Sequence, residues 1–270
     1  MSSINLSIII VNYNTGKLVK TCVEKILQNT IDLSVPDSEI IIVDNASTVE
    51  PIDESWIPTT KSVTLIKNRE NIGYAKANNQ ALRIARGKHY LLLNSDTEIK
   101  SGSFSDLLQF AEKSPDAGVV GTKLVLPSGE VQTSVFRFPT IWRAFQEFLL
   151  KQKNKYSPFV PPGTHPVAVE AVVGAVFLIT NKAKEKVGFL DERYFMYFED
   201  LDYCKRVNSA GLKVYYLPTV EFLHQHGASG RELANAENQW RRLIPASITY
   251  HGWLKHTIIT WILKIGQKLG

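Results

Sequence analysis

The chain has 270 residues, of which 44% are hydrophobic and 21% charged, and its formal net charge is +5. This composition is ordinary for a globular protein and excludes a chain too polar to form a core. Two cysteines, Cys22 and Cys204, are too few for a disulfide framework, so we expect a reducing, cytoplasmic setting. We expect no signal peptide. We also expect no membrane-spanning helix, since the apolar run 257–263 falls well short of the ~20 residues that such a helix needs.

The first hundred residues alternate apolar runs with segments of helical periodicity. The apolar runs predict buried strands at 6–11, 40–43, 63–66 and 90–93. Helical spacing over 18–27 predicts a helix after the first strand, and small residues over 74–86 predict another that Gly87 ends. This alternation predicts an α/β fold with a mostly parallel central sheet flanked by helices. Such sheets bind ligands at the carboxyl ends of their strands, where Asp44 and Asp96 lie.

The second half has a less regular pattern. Further strands are predicted at 119–126, 131–138, 168–180 and 213–217, the last ending before Pro218, and helices at 141–150 and 199–209. Gly174 and Ala175 interrupt the run 168–180. Small residues there would let a substrate approach the backbone, which makes both of them candidates for acceptor contact.

Asp96 ends the sequence Asn94-Ser95-Asp96 after the fourth predicted strand. Mg²⁺ usually takes one or two carboxylates from a protein, with phosphates and water completing its shell. One acid at a strand end is therefore sufficient if a diphosphate supplies the other ligands. A cation held there would neutralise charge on a departing diphosphate. The alternative is a solvated acid or a helix cap.

Asp44 ends the second predicted strand in the pair Asp44-Asn45. Its carboxylate would accept the imide N–H of a uracil or thymine ring. A turn-forming Asp-Asn pair is the alternative, because both side chains readily hydrogen-bond the backbone that follows.

Asp200 lies between the aromatic-rich segment 195–198 and a predicted helix. Burial among aromatic rings raises a carboxyl pKa, whereas a helix N-terminus lowers it. A carboxylate positioned there would remove the proton from an attacking hydroxyl group. Glu199 is a candidate acceptor contact, with helix capping as the alternative. His224 and His226 would point to one face of a strand. There His224 is a candidate metal ligand, with a hydrogen-bonded or a surface histidine as the alternative.

Other catalytic motifs are absent from the sequence. Without G-x-G-x-x-G, G-x-x-x-x-G-K-[ST] or G-x-S-x-G, it matches neither a dinucleotide oxidoreductase, a P-loop NTPase nor an α/β-hydrolase. A nucleotidyltransferase would need a Gly-rich basic loop after the first strand, and 11–16 is not one. A nucleic-acid-binding protein is disfavoured as well, because no recognition motif is present.

Seven short motifs in order give the chain a family resemblance. They are Ser7-Ile8-Ile9-Ile10-Val11-Asn12-Tyr13-Asn14, Val43-Asp44-Asn45-Ala46-Ser47, Asn71-Ile72-Gly73-Tyr74-Ala75-Lys76-Ala77-Asn78-Asn79, Leu93-Asn94-Ser95-Asp96, Gly188-Phe189-Leu190-Asp191-Glu192, Phe198-Glu199-Asp200-Leu201-Asp202 and His224-Gln225-His226-Gly227-Ala228-Ser229. Over about 5–230 the chain resembles the inverting nucleotide-sugar glycosyltransferases with a GT-A fold. Within that group it is most similar to the rhamnosyltransferase-like members that build bacterial surface polysaccharides.

The resemblance implies a domain organisation and an activity. It implies a GT-A domain over 1–230, with a Rossmann-like nucleotide-sugar half over about 1–100 and an acceptor half over 101–230. It implies inverting transfer from dTDP-rhamnose, or from a UDP-sugar, to a hydroxyl of a glycan or of a polyprenyl-diphosphate-linked saccharide. A sugar- or nucleotide-binding module that has lost catalysis is the non-enzymatic alternative.

The resemblance also implies roles for individual residues. It assigns Asp200 as the catalytic base, and Asp96 with His224 as the ligands of Mg²⁺ or Mn²⁺. The implied nucleotide-sugar contacts are Asn12, Tyr13, Asp44, Asn71, Gly73, Asn94 and Asp96. One position departs from the family: its D-x-D motif begins here with Asn94, and the lost charge would weaken metal binding.

The segment 231–270 is predicted to form an amphipathic helical tail. No acid follows Glu237, whereas five cations do: Arg241, Arg242, Lys255, Lys264 and Lys268. Such a segment would lie in a membrane interface and contact anionic lipid at the inner face of the cell membrane. The alternative is a helix pair packed on the domain or on a second copy in a homodimer.

Overall fold

The computed structural model describes residues 4–32, 38–58, 63–225 and 236–269. The strands are β1 Leu6–Asn12, β2 Ser38–Asp44, β3 Val63–Lys67, β4 His89–Leu93, β5 Thr97–Ser101, β6 Ala117–Val125, β7 Val131–Gln132, β8 Val135–Phe136, β9 Val167–Val169, β10 Ala171–Val172, β11 Val176–Ile179 and β12 Lys213–His224. The helices are α1 Gly16–Asp32, α2 Tyr74–Ile84, α3 Phe104–Lys113, α4 Ile141–Phe148, α5 Asn181–Val187, α6 Glu199–Ser209, α7 Ala236–His251 and α8 Trp253–Leu269.

The first half of the central sheet is parallel, in the order β3-β2-β1-β4. Strand β1 is buried on both faces: Ile8 and Ile10 pack into the core with α1, and Ile9 packs into the core with α2. This explains why the run is hydrophobic apart from Ser7, whose buried hydroxyl donates to Glu39 Oε1 at 2.7 Å. Asn12 pairs in register with Asp44, so the polar ends of β1 and β2 emerge together at one edge of the sheet.

The second half of the sheet is mixed. Strand β11 is antiparallel to both β4 and β6, while β12 runs parallel to β6 and antiparallel to β5. The fold class is therefore the predicted α/β arrangement, with its parallel part in the first hundred residues. The antiparallel β11 carries Gly174 and Ala175, which precede it, to the end of β4.

Three predicted strands differ from the structure. The predicted strand 168–180 is divided into β9, β10 and β11, which pair with different strands. Strand β12 does not stop before Pro218 but continues to His224. The register with β6 shifts between Leu217 and Glu221, so the N–H that proline lacks falls where the ladder is already irregular. The predicted strand 131–138 is divided, because β7 pairs with β6 whereas β8 pairs with β10 in a separate two-stranded sheet.

The C-terminal extension consists of two helices separated by Gly252, whose φ is 77°. Helix α8 packs on α4, where Ile259 and Ile262 cluster with Ala144. Gly266 permits the closest approach: a methyl group there would lie 2.6 Å from Phe148 Cβ. None of the helices in the described ranges combines the length and hydrophobicity required to cross a membrane.

Candidate functional site

The ends of β1 and β2 are joined by side chains that organise the following loops. Asn12 is fully buried; its Oδ1 accepts hydrogen bonds from the backbone N–H and the hydroxyl of Thr15, at 3.0 and 2.8 Å. Its Nδ2 donates to Ser47 Oγ at 2.9 Å and to Asp44 Oδ1 at 3.3 Å. Asn12 therefore stabilises this edge of the sheet through buried hydrogen bonds. Its contact with a nucleotide stays a prediction. Tyr13 follows it and is partly exposed.

Asp44 stabilises a turn, which is one of the two roles that the sequence predicts for it. Its Oδ1 accepts the N–H of Ser47 at 3.0 Å, and its Oδ2 accepts the N–H of Ile52 at 3.2 Å. These bonds hold the loop 45–52 against the strand end. Reading of a pyrimidine ring by the same carboxylate stays a prediction.

Asn45 connects this edge with the loop that follows β3. Its Nδ2 donates to Asn71 Oδ1 at 2.8 Å, and its Oδ1 accepts from Asn68 Nδ2 at 3.0 Å and from the N–H of Ile72 at 3.1 Å. Asn71 Oδ1 also accepts the N–H of Gly73 at 3.0 Å. Asn45 belongs to the motif 43–47, but a short motif does not reveal bonds to a loop that lies between 23 and 27 residues away.

Gly73 is required by both its conformation and its surroundings. Its φ is 89°, and a methyl group there would lie 2.6 Å from the carbonyl oxygen of Phe195. That oxygen accepts the N–H of Tyr74 at 2.7 Å. The loop before α2 is therefore in direct contact with the segment that precedes the predicted base.

Asp96 and His224 meet at the end of β4. The Nε2 atom of His224 lies 3.4 Å from Asp96 Oδ1, and both side chains are buried. The other ring nitrogen, Nδ1, lies 2.8 Å from Gln132 Oε1, which orients the imidazole. Gln132 was missed, because a single glutamine in a short strand carries no sequence signal. His226 lies outside the described residues.

A chain of hydrogen bonds links Asn94 to Asp200. The hydroxyl of Tyr74 bridges Asn94 Oδ1 at 3.2 Å and the carbonyl oxygen of Gly174 at 3.3 Å. The N–H of Gly174 donates to Asp200 Oδ2 at 2.9 Å, and the N–H of Asn94 donates to the carbonyl oxygen of Ala175 at 2.9 Å. Tyr74 is thus a further site residue, which appeared in a quoted motif without an assigned role.

The start of α6 is held in an unusual backbone conformation. Tyr197 and Phe198, immediately before the helix, both have positive φ values of 72° and 68°. Left-handed conformations cost ~1–2 kcal/mol for residues with a β-carbon and are found at functional sites when the surrounding structure imposes them. Here they begin the first turn of α6, in which Glu199 is buried and the half-buried Asp200 lines a cavity.

Burial raises the pKa of both acids at the start of α6. Burial is the main cause for Glu199, whose pKa rises to about 8, and the neighbouring Asp200 charge adds to it. Burial also raises the pKa of Asp200, against the N–H bonds from Leu201 and Gly174 that lower it. The Oε2 atom of Glu199 has no hydrogen-bond partner within the described residues. The pair therefore provides a carboxyl group shielded from water and poised to exchange a proton.

A cavity of about 480 Å³ lies against these acids. Its polar end is formed by Asn94, Gly174, Asp200 and His224. Its other walls are mostly apolar and aromatic: Phe136, Phe148, Tyr156, Val173, Met196, Tyr197, Phe198 and Leu243. Such an arrangement suits an amphiphilic ligand whose reacting end meets the carboxylate.

The structure brings most of the predicted residues to two adjoining places. Asn94, Gly174, Ala175, Glu199, Asp200 and His224 line the cavity, and Asp96 contacts His224. The remaining ones lie at the neighbouring strand-end loops, not in the cavity wall: Asn12, Tyr13, Asp44, Asn71 and Gly73.

Asp96 and His224 match an incomplete set of ligands for a divalent cation. In the described part of the chain, no three His, Cys, Asp or Glu side chains form a metal-binding group. One buried carboxylate and one imidazole nevertheless suffice where a diphosphate and water complete the shell. Asn94 directs its Oδ1 to the Tyr74 hydroxyl and supplies no charge.

Comparison with known proteins places this chain in a family. The model of the family described as "Glycosyl transferase family 2" matches residues 7–172, which is more than half of the chain. The chain is 27% identical over 247 residues to N-acetylglucosaminyl-diphospho-decaprenol L-rhamnosyltransferase of Mycobacterium tuberculosis, covering 83% of this chain and 79% of the relative.

Two further comparisons extend this likeness. The O-antigen biosynthesis protein RfbC of Myxococcus xanthus is 27% identical over 262 residues, covering 92% of this chain and 19% of RfbC. The crystal structure of GalNAc-T7 with UDP, GalNAc and Mn²⁺ superposes with a TM-score of 0.61 at 14% identity, over 83% of this chain and 44% of that one. This chain therefore belongs to glycosyl transferase family 2, as a rhamnosyltransferase-like enzyme with a GT-A fold.

Proposed function

We propose that the chain is an inverting glycosyltransferase of surface polysaccharide synthesis that moves L-rhamnose from dTDP-rhamnose to a hydroxyl of a lipid-linked saccharide. The observation that carries this proposal is Asp200, a half-buried carboxylate at the polar end of a cavity whose other walls are mostly apolar. A UDP-sugar is the alternative donor, and a catalytically inactive nucleotide- or sugar-binding module is the alternative to an enzyme.

The proposed reaction is a direct displacement. The acceptor oxygen forms a bond to the anomeric carbon on the face opposite the nucleotide, and the bond from that carbon to the diphosphate breaks. The electron pair of the broken bond leaves with the nucleoside diphosphate, while the hydroxyl proton passes to Asp200. The hydrogen bond from the Gly174 N–H to Oδ2 supports this role, since it orients the carboxylate.

We propose that Mg²⁺ or Mn²⁺ is bound by Asp96 and His224, with the diphosphate of the donor and water as the other ligands. When bound, the cation would offset negative charge on the leaving diphosphate. The buried pair at 3.4 Å supports this assignment, as does the Mn²⁺ in the GalNAc-T7 complex. Gln132 would hold the imidazole in position through Nδ1.

The acceptor is proposed to be a polyprenyl-diphosphate-linked saccharide. The name of the Mycobacterium relative states such an acceptor for that protein, and the aromatic walls of the cavity are chemically suited to one. If the enzyme acts on a lipid-linked acceptor, it would be located at the cytoplasmic face of the membrane. Peripheral membrane contact through 240–270 belongs to this proposal; a homodimer stays a prediction, and no nucleic-acid partner is proposed.

The base assignment is tested with Asp200→Asn against Asp202→Asn. Both acids lie in the first turn of α6, but Asp202 is ion-paired with Arg206 at 2.7 Å on the same helix. Loss of a general base lowers turnover by ~10²–10⁴-fold. We expect that loss for Asp200→Asn, with nucleotide-sugar affinity near wild-type, and nearly normal turnover for Asp202→Asn.

The readout is sugar transfer from dTDP-rhamnose and from UDP-sugars, with binding measured by protection against thermal unfolding. Near-wild-type turnover of Asp200→Asn would refute its role as the base. If neither wild-type nor variants transfer any sugar while still binding nucleotide, the inactive binding module would be favoured instead.

A further inference from the structure

Helix α8 presents an apolar ridge to solvent. The ridge consists of Leu254, Ile258, Trp261, Ile265 and Leu269, which are between 37% and 67% exposed. Their spacing of three and four residues puts them on one side of the helix. The buried residues Ile259, Ile262 and Gly266 face α4. Packing on the domain therefore leaves a second, outward apolar face of α8 uncovered.

The charged side chains of α8 have a single sign. Residues 238–269 contain no Asp or Glu, and α8 itself carries Lys255, Lys264 and Lys268, all exposed. The loop that leaves the C-terminus of α4 adds the exposed Lys151 and Lys153. A second copy of the chain would bring like charges together across such a surface, whereas an anionic surface would be attracted to it.

Three tryptophans on α4 and α8 are exposed, and one of them, Trp261, belongs to the ridge. Trp253 and Trp261 on α8 are 69% and 66% exposed, and Trp142 on α4 is 60% exposed. An indole ring combines an apolar body with an N–H group and is favoured at the headgroup depth of a bilayer. An amphipathic helix with lysines and outward tryptophans has the composition of an in-plane membrane helix.

The C-terminal helices also build the cavity beside Asp200. Leu243 of α7 lines it, as does Phe148, which contacts Gly266 of α8. Tyr250 of α7 packs on Phe198, the residue before α6, with ring centroids 5.3 Å apart. The outward ridge and the apolar cavity wall are thus connected through one set of packed helices.

We infer that the ridge of α8 lies in the interface of an anionic phospholipid bilayer, which holds the apolar cavity wall next to the membrane. The inference deepens the proposed function and rests on it only for the lipid-linked acceptor. Binding to the lipid surface itself is a property of the ridge and its lysines, independent of the sugar donor.

The first test compares the full-length triple variant Ile258→Ser, Trp261→Ser, Ile265→Ser with wild-type by flotation on vesicles. The vesicles are phosphatidylcholine with or without phosphatidylglycerol. The three substitutions remove apolar area that the bilayer would cover, so they should lower partitioning onto the anionic vesicles by about tenfold or more. The matched control is Val49→Ser with Ile84→Ser, which removes exposed apolar side chains from the other half of the domain and should bind like wild-type.

The second test separates charge from apolar contact. Each lysine near an anionic leaflet contributes about fivefold to binding, so Lys264→Gln with Lys268→Gln should weaken flotation by about tenfold or more. Added salt should weaken wild-type binding more than that of this lysine variant. Point variants are required because removal of the tail would also remove Leu243 and the cavity wall.

Three results would overturn the inference. The first is equal flotation of wild-type and the triple variant, and the second is absence of wild-type binding to the phosphatidylglycerol vesicles. The third is a concentration-dependent dimer of wild-type that the triple variant abolishes, without vesicle binding, because the ridge would then cover a second copy. The triple variant should keep the circular dichroism spectrum of wild-type and its rate of transfer to a soluble saccharide. A loss of vesicle binding alone therefore concerns the ridge, whereas a loss of transfer in wild-type itself would concern the proposed function.

Discussion

Replacement of Glu199 by Gln should change how the stability of the protein depends on pH. The carboxyl group is buried, its Oε2 lacks a hydrogen-bond partner among the described residues, and Asp200 lies next to it. Burial is the main reason that its pKa rises from 4.5 to about 8, with the Asp200 charge adding to it. The folded state therefore keeps the proton on Glu199 over a pH range in which the unfolded chain releases it.

The sign follows from proton linkage. A group with a raised pKa contributes its full stability below the unfolded value, here 4.5, and loses it as pH rises to about 8. Across that window the free energy of unfolding should fall by up to ~1.4 kcal/mol per pH unit, or at most about 5 kcal/mol in total. Above pH 8 this group should contribute no further change.

The Gln variant removes this titration and adds a buried amide. Two new N–H donors without partners cost about 1–3 kcal/mol, so Glu199→Gln should be less stable than wild-type at pH 5. The difference should shrink and then reverse as pH rises to 8. The assay is urea unfolding from pH 5 to 9, with Glu24→Gln, an exposed acid on α1, as the control that follows wild-type. If the Glu199→Gln and wild-type curves stay parallel over this range, Glu199 does not carry a shifted pKa.

Three further predictions address packing, the strand-end loop and the metal. Gly266→Val should push Phe148 from α8 and lower the free energy of unfolding, measured by urea titration, by about 1–3 kcal/mol. The comparison variant is Gly129→Val, which lies in an open turn and meets no neighbouring atoms, although its positive φ strains the backbone. Asn45→Ala removes four hydrogen bonds between loops and should cost about 1–3 kcal/mol while weakening nucleotide binding in thermal-shift titrations; unchanged binding would separate that loop from the nucleotide. Asp96→Asn should raise the Mn²⁺ concentration for half-maximal transfer by about tenfold or more, and an unchanged metal titration would exclude Asp96 as a ligand.

The sequence determined the strands of the parallel half. Residues 8–11 and 40–43 are uninterrupted apolar runs because β1 and β2 are covered on both faces, and this burial leaves a direct pattern in the chain. The polar residues Asp44 and Asp96 were identified as strand-end residues for the same reason. The family motifs then related these positions to one another, although no motif alone states a distance.

Short elements were harder to predict. Strand β5 and helices α3 and α5 were not foreseen, since each spans between 5 and 10 residues and offers few periods of a pattern. The course of β12 through Pro218 depends on a register shift against β6, which is a property of two strands and not of one.

The arrangement of the candidate site was decided by tertiary structure. The Tyr74 hydroxyl reaches the carbonyl oxygen of Gly174 across 100 positions of sequence, and Gln132 meets His224 across 92. The positive φ values of Tyr197 and Phe198 are likewise imposed by neighbours, such as Tyr250 packed on Phe198. Local residue chemistry determined which side chains can take part in the reaction. Their mutual positions follow from the antiparallel insertion of β11 and the packing of the C-terminal helices, because these contacts join segments that no local pattern relates.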